Sequence, residues 1–135
     1  MGKYTDLETD IFSIFASTSW ESENIDTYPG NFISTGNSKE FIRVNIIPSG
    51  KGVNRVSISG VVIIDIFTFA GEGTRKASLI ADTLDKYLGD KAIALQSGKT
   101  TQFGSSSMTL SGSDSDNPSL FRASYTIPFN FFGVL

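Results

Sequence analysis

The segment Arg55-Val56-Ser57-Ile58-Ser59-Gly60-Val61-Val62-Ile63-Ile64-Asp65-Ile66-Phe67-Thr68-Phe69 decides the fold class. Side chains on a strand alternate between its two faces, and Val56, Ile58, Val62, Ile64 and Ile66 fall on one face throughout. The other face changes midway. It carries Ser57 and Ser59 first, then Val61, Ile63, Phe67 and Phe69 around the lone carboxylate of Asp65. A strand apolar on both faces is covered on both sides. The first half of the second face is therefore expected to meet solvent, and the second half another layer or another subunit. Gly60 stands at the change and predicts a bulge or bend there.

Downstream, Gly71-Glu72-Gly73 breaks the strand and Thr74 is placed to cap a helix. Ala77, Ile80, Ala81, Leu84, Tyr87 and Leu88 follow at helical spacing, and Gly89 is expected to supply the left-handed residue past the end. This helix must lie on a sheet. Ala92–Gln96 reads as a short strand. The Ser-, Gly- and Asp-rich stretch Ser97–Ser119, interrupted by Met108-Thr109-Leu110, predicts a mobile hairpin or loop. A final strand, Leu120–Phe132, sets Phe121, Ala123, Tyr125, Ile127, Phe129 and Phe131 on one face.

Upstream, Glu40–Ile47 alternates, with Ile42, Val44 and Ile46 against Arg43 and Asn45; this strand is expected to stop at Pro48. Trp20–Lys39 is polar and rich in turn residues, which predicts an irregular segment pinned by Trp20 and Phe32. At the N-terminus, Thr5-Asp6-Leu7-Glu8 matches a capping box for a helix over Thr5–Ala16, with Leu7, Ile11, Ile14 and Phe15 as its apolar stripe. Helix, strands, helix, strands in this order predict one α+β domain spanning 1–135. Its largely antiparallel mixed sheet would carry two amphipathic helices on one face, with long flexible loops as the working surfaces.

The composition narrows the function classes. The 135 residues include neither cysteine nor histidine, so disulfides, thiolate ligands and the commonest neutral-pH base are absent from the sequence. The net charge is −3, with lysines and arginines scattered along the chain and only Arg75-Lys76 adjacent. Nucleic acid is accordingly not expected as a tightly held ligand. The longest apolar run, Val61–Ile64, is too short for a membrane span, and a soluble, unmodified protein is expected. Eleven phenylalanines point to packing surface.

No motif specifies catalysis, a cofactor or a metal. Gly71-Glu72-Gly73-Thr74-Arg75-Lys76 fails the spacing of a P-loop and of a dinucleotide fingerprint, and reads as a strand-to-helix turn. Asp114-Ser115-Asp116-Asn117 lacks the glycine and distal glutamate of a calcium loop. Glu21, Glu23 and Asp26 form an acidic loop without a partner base, and Ser105-Ser106-Ser107 has nothing to activate its hydroxyls. What exceeds the needs of a plain monomer is apolar strand face, at Phe67, Phe69, Phe129, Phe131 and Phe132, together with long loops. Both suit a subunit that orders on assembly.

The succession Trp20, Tyr28-Pro29, Phe41-Ile42-Arg43-Val44, Gly60-Val61-Val62-Ile63 and Gly71-Glu72-Gly73-Thr74-Arg75 leading into Ala81-Asp82-Thr83-Leu84 resembles tail terminator proteins of long-tailed bacteriophages. The likeness covers roughly the first two-thirds of the chain and rests on alternation and turn placement. It implies a hexameric ring that caps the tail tube, stops its polymerisation and joins the head-side connector. The partners would be further copies of the chain, the major tail tube protein and the connector, with DNA only passing through the lumen. No membrane and no cofactor are implied. Candidate contact residues are Tyr28 and Phe32 in the loop Tyr28–Lys39, Lys51 and Val53 in the loop Ile47–Arg55, and Met108 and Leu110 in Ser97–Ser119. Phe67 and Phe69 on the long strand and Arg75 at the helix start complete the set. Tail tube subunits, head–tail connector subunits and a monomeric loop-based binding module share the same general character.

Overall fold

A computed structural model describes residues 2–29, 40–69, 74–93, 99–113 and 120–133. In chain order its elements are α1 (Lys3–Phe15), α2 (Thr18–Glu21), β1 (Asp26–Pro29), β2 (Phe41–Lys51), β3 (Ile58–Phe69), α3 (Thr74–Leu88), β4 (Ala92–Ile93), β5 (Thr100–Phe103), β6 (Ser107–Ser113) and β7 (Leu120–Phe132). The protein is α+β. Its sheet runs β1-β2-β3-β7-β5-β4, with β6 also paired to β7. The β1–β2 pair is parallel and the other described pairs are antiparallel.

One sheet face carries the core, and the alternation in the sequence says which. Ile42 and Val44 of β2, Ile58, Val62, Ile64 and Ile66 of β3, and Ala123, Tyr125, Ile127, Phe129 and Phe131 of β7 are all buried in one cluster. Leu7, Ile11, Ile14 and Phe15 of α1 and Ala77, Ile80, Ala81, Leu84 and Leu88 of α3 close over them. Both long helices therefore pack on the same face. Burying a large aliphatic or aromatic side chain contributes roughly 1.5–3 kcal/mol, so this shared layer is the main source of stability.

Several local expectations are corrected. The first helix begins at Lys3, and Gly2 is its N-cap with no side-chain capping bond. Thr5 thus lies inside the first turn, which the Asp6 N–H closes onto the Gly2 carbonyl at 3.0 Å. Just past α1, Ser17 Oγ accepts from the Trp20 N–H at 3.2 Å and starts α2. Trp20 is buried, donates from Nε1 to Thr27 Oγ1 at 2.8 Å, and meets Phe15 and Tyr87 edge-on. The segment expected to be irregular therefore holds a helical turn and a strand. Its remainder, 30–39 with Phe32, lies outside the described residues.

β2 does not stop at Pro48. Among the described residues β1 pairs with its outer side only from Phe41 to Val44, and where the outer side of a strand is unpaired a missing N–H costs no ladder bond. The register against β3 slips between Ile47 and Gly50, so the irregularity lies on β2 and Gly60 accommodates it from across the ladder. A Cβ on Gly60 would sit 2.1 Å from the Ile47 carbonyl oxygen and 3.0 Å from Pro48 Cα. The α3 helix already includes Thr74, which leaves its cap outside the described residues. At its far end the left-handed residue is Asp90, with φ 53°, and not Gly89. Gly89 N–H still bonds the Asp85 carbonyl in helical fashion, whereas Asp90 N–H turns to Gly104 O at 3.1 Å.

The largest correction concerns Ser97–Ser119, expected to be a mobile hairpin or loop. Its described part forms β5 and β6, both on the same side of β7. The interruption between them has a cause. Gly104 N–H donates to the Pro128 carbonyl at 3.0 Å, so on an antiparallel strand the Pro128 nitrogen points the same way and has no hydrogen to give. The ladder breaks there and resumes at Ser107 opposite Thr126.

Candidate functional site

The second face of the sheet holds a composite of charge and aromatic surface, and the strand register builds it row by row. Phe41, Phe67 and Arg122 are cross-strand neighbours on β2, β3 and β7; Arg43, Asp65 and Ser124 form the next row. Tyr28 of β1 stands beside Arg43. Every one of these positions follows from period-2 alternation once the pairing is known.

Asp65 is the centre of the charged part. Its carboxylate accepts from Arg43 Nε at 3.4 Å and Nη2 at 3.2 Å, and from Asn45 Nδ2 at 3.3 Å. On the other side it accepts from Arg122 Nη2 at 3.0 Å and Ser124 Oγ at 3.4 Å. A carboxylate offers about four acceptor sites, so this one is saturated. Asp65 is 4% exposed, against 20% and 36% for the two arginine side chains. The guanidinium edges therefore reach the surface while the carboxylate does not.

The aromatic part is continuous with it. Phe67 stacks on Phe41 with centroids 4.7 Å apart and planes 16° apart, and Tyr28 meets Phe41 edge-on at 5.7 Å. Phe69 packs against the same pair. Both guanidiniums lie over the Phe67 ring, Arg43 at 5.0 Å and Arg122 at 5.9 Å, an attraction of about 0.5–2 kcal/mol each depending on hydration. No described helix contributes to this aromatic cluster. A cleft of about 890 Å³ is lined by Pro29, by Arg43, Asn45, Asp65 and Arg122 of this face, and by Glu8 and Phe12 of α1.

The residues singled out in the sequence separate into groups. Tyr28, Phe67 and Phe69 come together here, although Phe67 is buried within the subunit and so is an internal residue. Lys51 and Val53 lie at the β2–β3 tip; Val53 is 77% exposed. Nine residues of β3 separate that end from Phe67, a distance of roughly 30 Å along a strand. Arg75 is exposed on the first turn of α3. Met108 packs against the main core from β6, and Leu110 is exposed two residues on. Ser57, expected at a solvent-facing stretch, is buried: its Oγ donates to Asn54 Oδ1 at 3.0 Å and accepts from the Gly133 N–H at 3.0 Å. Asp114–Asn117 lies outside the described residues. Among those described, no three carboxylates gather into one group, and no helix is long and apolar enough to cross a membrane. The Asp65 cluster went unread in the sequence, although a lone carboxylate in an apolar strand was its signal.

Two smaller polar assemblies tie α3 to the rest. Glu23 accepts from Tyr87 Oη at 2.7 Å and Lys86 Nζ at 3.1 Å. The Tyr87 hydrogen bond, then Lys86, hold the Glu23 carboxyl below its ordinary range, and the same bond raises the Tyr87 phenol. Tyr125 donates from the core to Asp85 Oδ1, which also accepts from Ser106 Oγ at 2.6 Å. Burial, and next the Asp85 carboxylate, push the Tyr125 phenol far above the usual tyrosine value.

The sign of this shift sets a pH dependence. A phenol whose folded pKa lies above its unfolded value near 10 contributes stability that is complete below about pH 10 and is lost as pH rises through the folded pKa. Urea denaturation between pH 8 and 11.5 is expected to show stability falling above about pH 10, with a shallower fall for Tyr125→Phe. Parallel slopes for the two proteins would show that Tyr125 does not carry the effect.

No family model matches the chain, and no curated protein does. A solved structure superposes on it with a TM-score of 0.63 over 96% of this chain and 92% of its own, at 14% sequence identity. At that identity the likeness concerns the fold alone.

Proposed function

We propose that the protein is a structural subunit of a long-tailed bacteriophage. In this proposal it closes into a ring on the end of the tail tube, ends tube polymerisation and presents the surface that the head-side connector joins. The ring is expected to be hexameric, to be built in the host cytoplasm and to remain in the virion at the head-proximal end of the tail. The support is the pattern from Trp20 to Leu84 together with one observation in particular. The most elaborate polar group among the described residues, centred on Asp65, is spent on itself: five hydrogen bonds saturate the carboxylate. Such an arrangement stiffens a sheet face and leaves no acceptor for acid–base work on a substrate. A rigid face of paired charge beside aromatics suits a docking subunit rather than a catalyst.

The 890 Å³ cleft beside this cluster favours a second reading, a monomeric binding module. Tail tube and connector subunits are the neighbouring structural alternatives. Light scattering across a range of concentrations, with and without purified tail tubes, separates them. A discrete closed ring, or a monomer that closes on tubes, is the expected result. Open-ended growth would indicate a tube subunit, and a strict monomer indifferent to tubes would sink the ring proposal.

A further inference from the structure

The β2–β3 tip and the start of α1 enclose a second cleft, of about 550 Å³, lined by Lys3, Tyr4, Lys51, Asn54 and Arg55 among others. Its described lining residues include three cations and no carboxylate, in a chain whose net charge is −3. Lys51 and Arg55 flank the turn that brings β3 back along β2, and the start of α1 brings Lys3 to them from far along the chain. Lys51 and Arg55 are exposed, and neither side chain makes an ion pair with a described residue. Lys3 reaches the Ser57 carbonyl at 3.5 Å, and its ammonium lies 5.2 Å from the centroid of the Tyr4 ring, which is 59% exposed. The neighbouring acid on α1, Asp6, is held by Lys99 at 2.6 Å and faces a different partner.

Three like charges around one opening repel one another, and an arriving anion removes that repulsion. We propose that this cleft binds the phosphate backbone of a nucleic acid, weakly and reversibly. Charge complementarity selects the ligand class. A protein partner needs a desolvated apolar centre for its affinity, whereas this lining mixes polar and apolar surface around its three cations, with an exposed tyrosine ring on which a base or sugar can rest. The net charge of the whole chain opposes DNA at long range, so binding is confined to low salt and to this patch. The inference goes beyond ring formation and does not depend on it.

The test is fluorescence anisotropy of a labelled DNA duplex titrated with the protein between 50 and 200 mM salt. Three phosphate contacts predict a slope of log K against log salt of about −2.7, or a loss of roughly 40-fold over that range. Lys51→Gln/Arg55→Gln, both at exposed positions, is expected to bring the slope to about −0.9 with the circular dichroism spectrum unchanged. Absence of binding at 50 mM salt, or an unaltered slope in the variant, overturns the proposal. So does tighter binding of labelled poly-glutamate of matched charge, which would identify an acidic protein surface instead. Light scattering on the same samples keeps the two proposals apart. Rings that ignore DNA refute this one alone, and monomers that bind it refute the ring alone.

Discussion

Asp65→Ala is expected to destabilise the fold by about 3 kcal/mol, read as a lowered urea midpoint at unchanged m-value. Removing the carboxylate leaves two guanidiniums facing each other across β3, with Ser124 Oγ losing this acceptor and Asn45 Nδ2 keeping only the Ile63 carbonyl among its described partners. Breaking a buried pair in this way costs roughly 3–5 kcal/mol. The lower end applies because Arg43 and Arg122 are 20% and 36% exposed and keep part of their hydration. Replacing the whole group, as Asp65→Leu/Arg43→Met/Arg122→Met, is expected to recover most of the loss, since the guanidiniums that faced the carboxylate are removed together with it. A loss under about 1 kcal/mol for Asp65→Ala would mean that the cluster is a solvated surface feature.

Phe67→Ala is expected to cost about 3–5 kcal/mol, while Phe69→Asp leaves the fold intact. The two residues share a strand face, yet Phe67 is 2% exposed and stacked on Phe41, whereas Phe69 is only partly buried against them. Truncating Phe67 removes that stack and the platform beneath both guanidiniums. Denaturation reports the first effect, and molar mass in solution reports any consequence for assembly. If Phe69→Asp abolishes rings without changing stability, the aromatic edge is a subunit contact. If Phe67→Ala proves harmless, Phe67 is surface and the packing described for this face is wrong.

The long elements were legible because their partners are periodic within themselves. Leu120–Phe132 was found to the residue, and the buried positions of α3 match its helical spacing. The strands β5 and β6 were not legible, because Ser, Gly and Thr say little about a segment whose pairing partner is elsewhere. Thr101 and Phe103 are buried, but it is pairing with β7 on one side and β4 on the other that makes Thr100–Phe103 a strand. Pro48 misled for the same reason. Its effect depends on whether the outer side of β2 is occupied, which no local pattern records.

By itself, then, the sequence determined the α+β class, the core face of the sheet and the two helices that cover it, since each follows from a period of 2 or 3.6 residues. Tertiary structure alone decided what the opposite face does. Arg43, Asp65 and Arg122 lie on three different strands, and Lys3, Lys51 and Arg55 on a helix, a strand end and a turn. Register and chain reversal bring each set within reach, and spacing along the chain encodes neither.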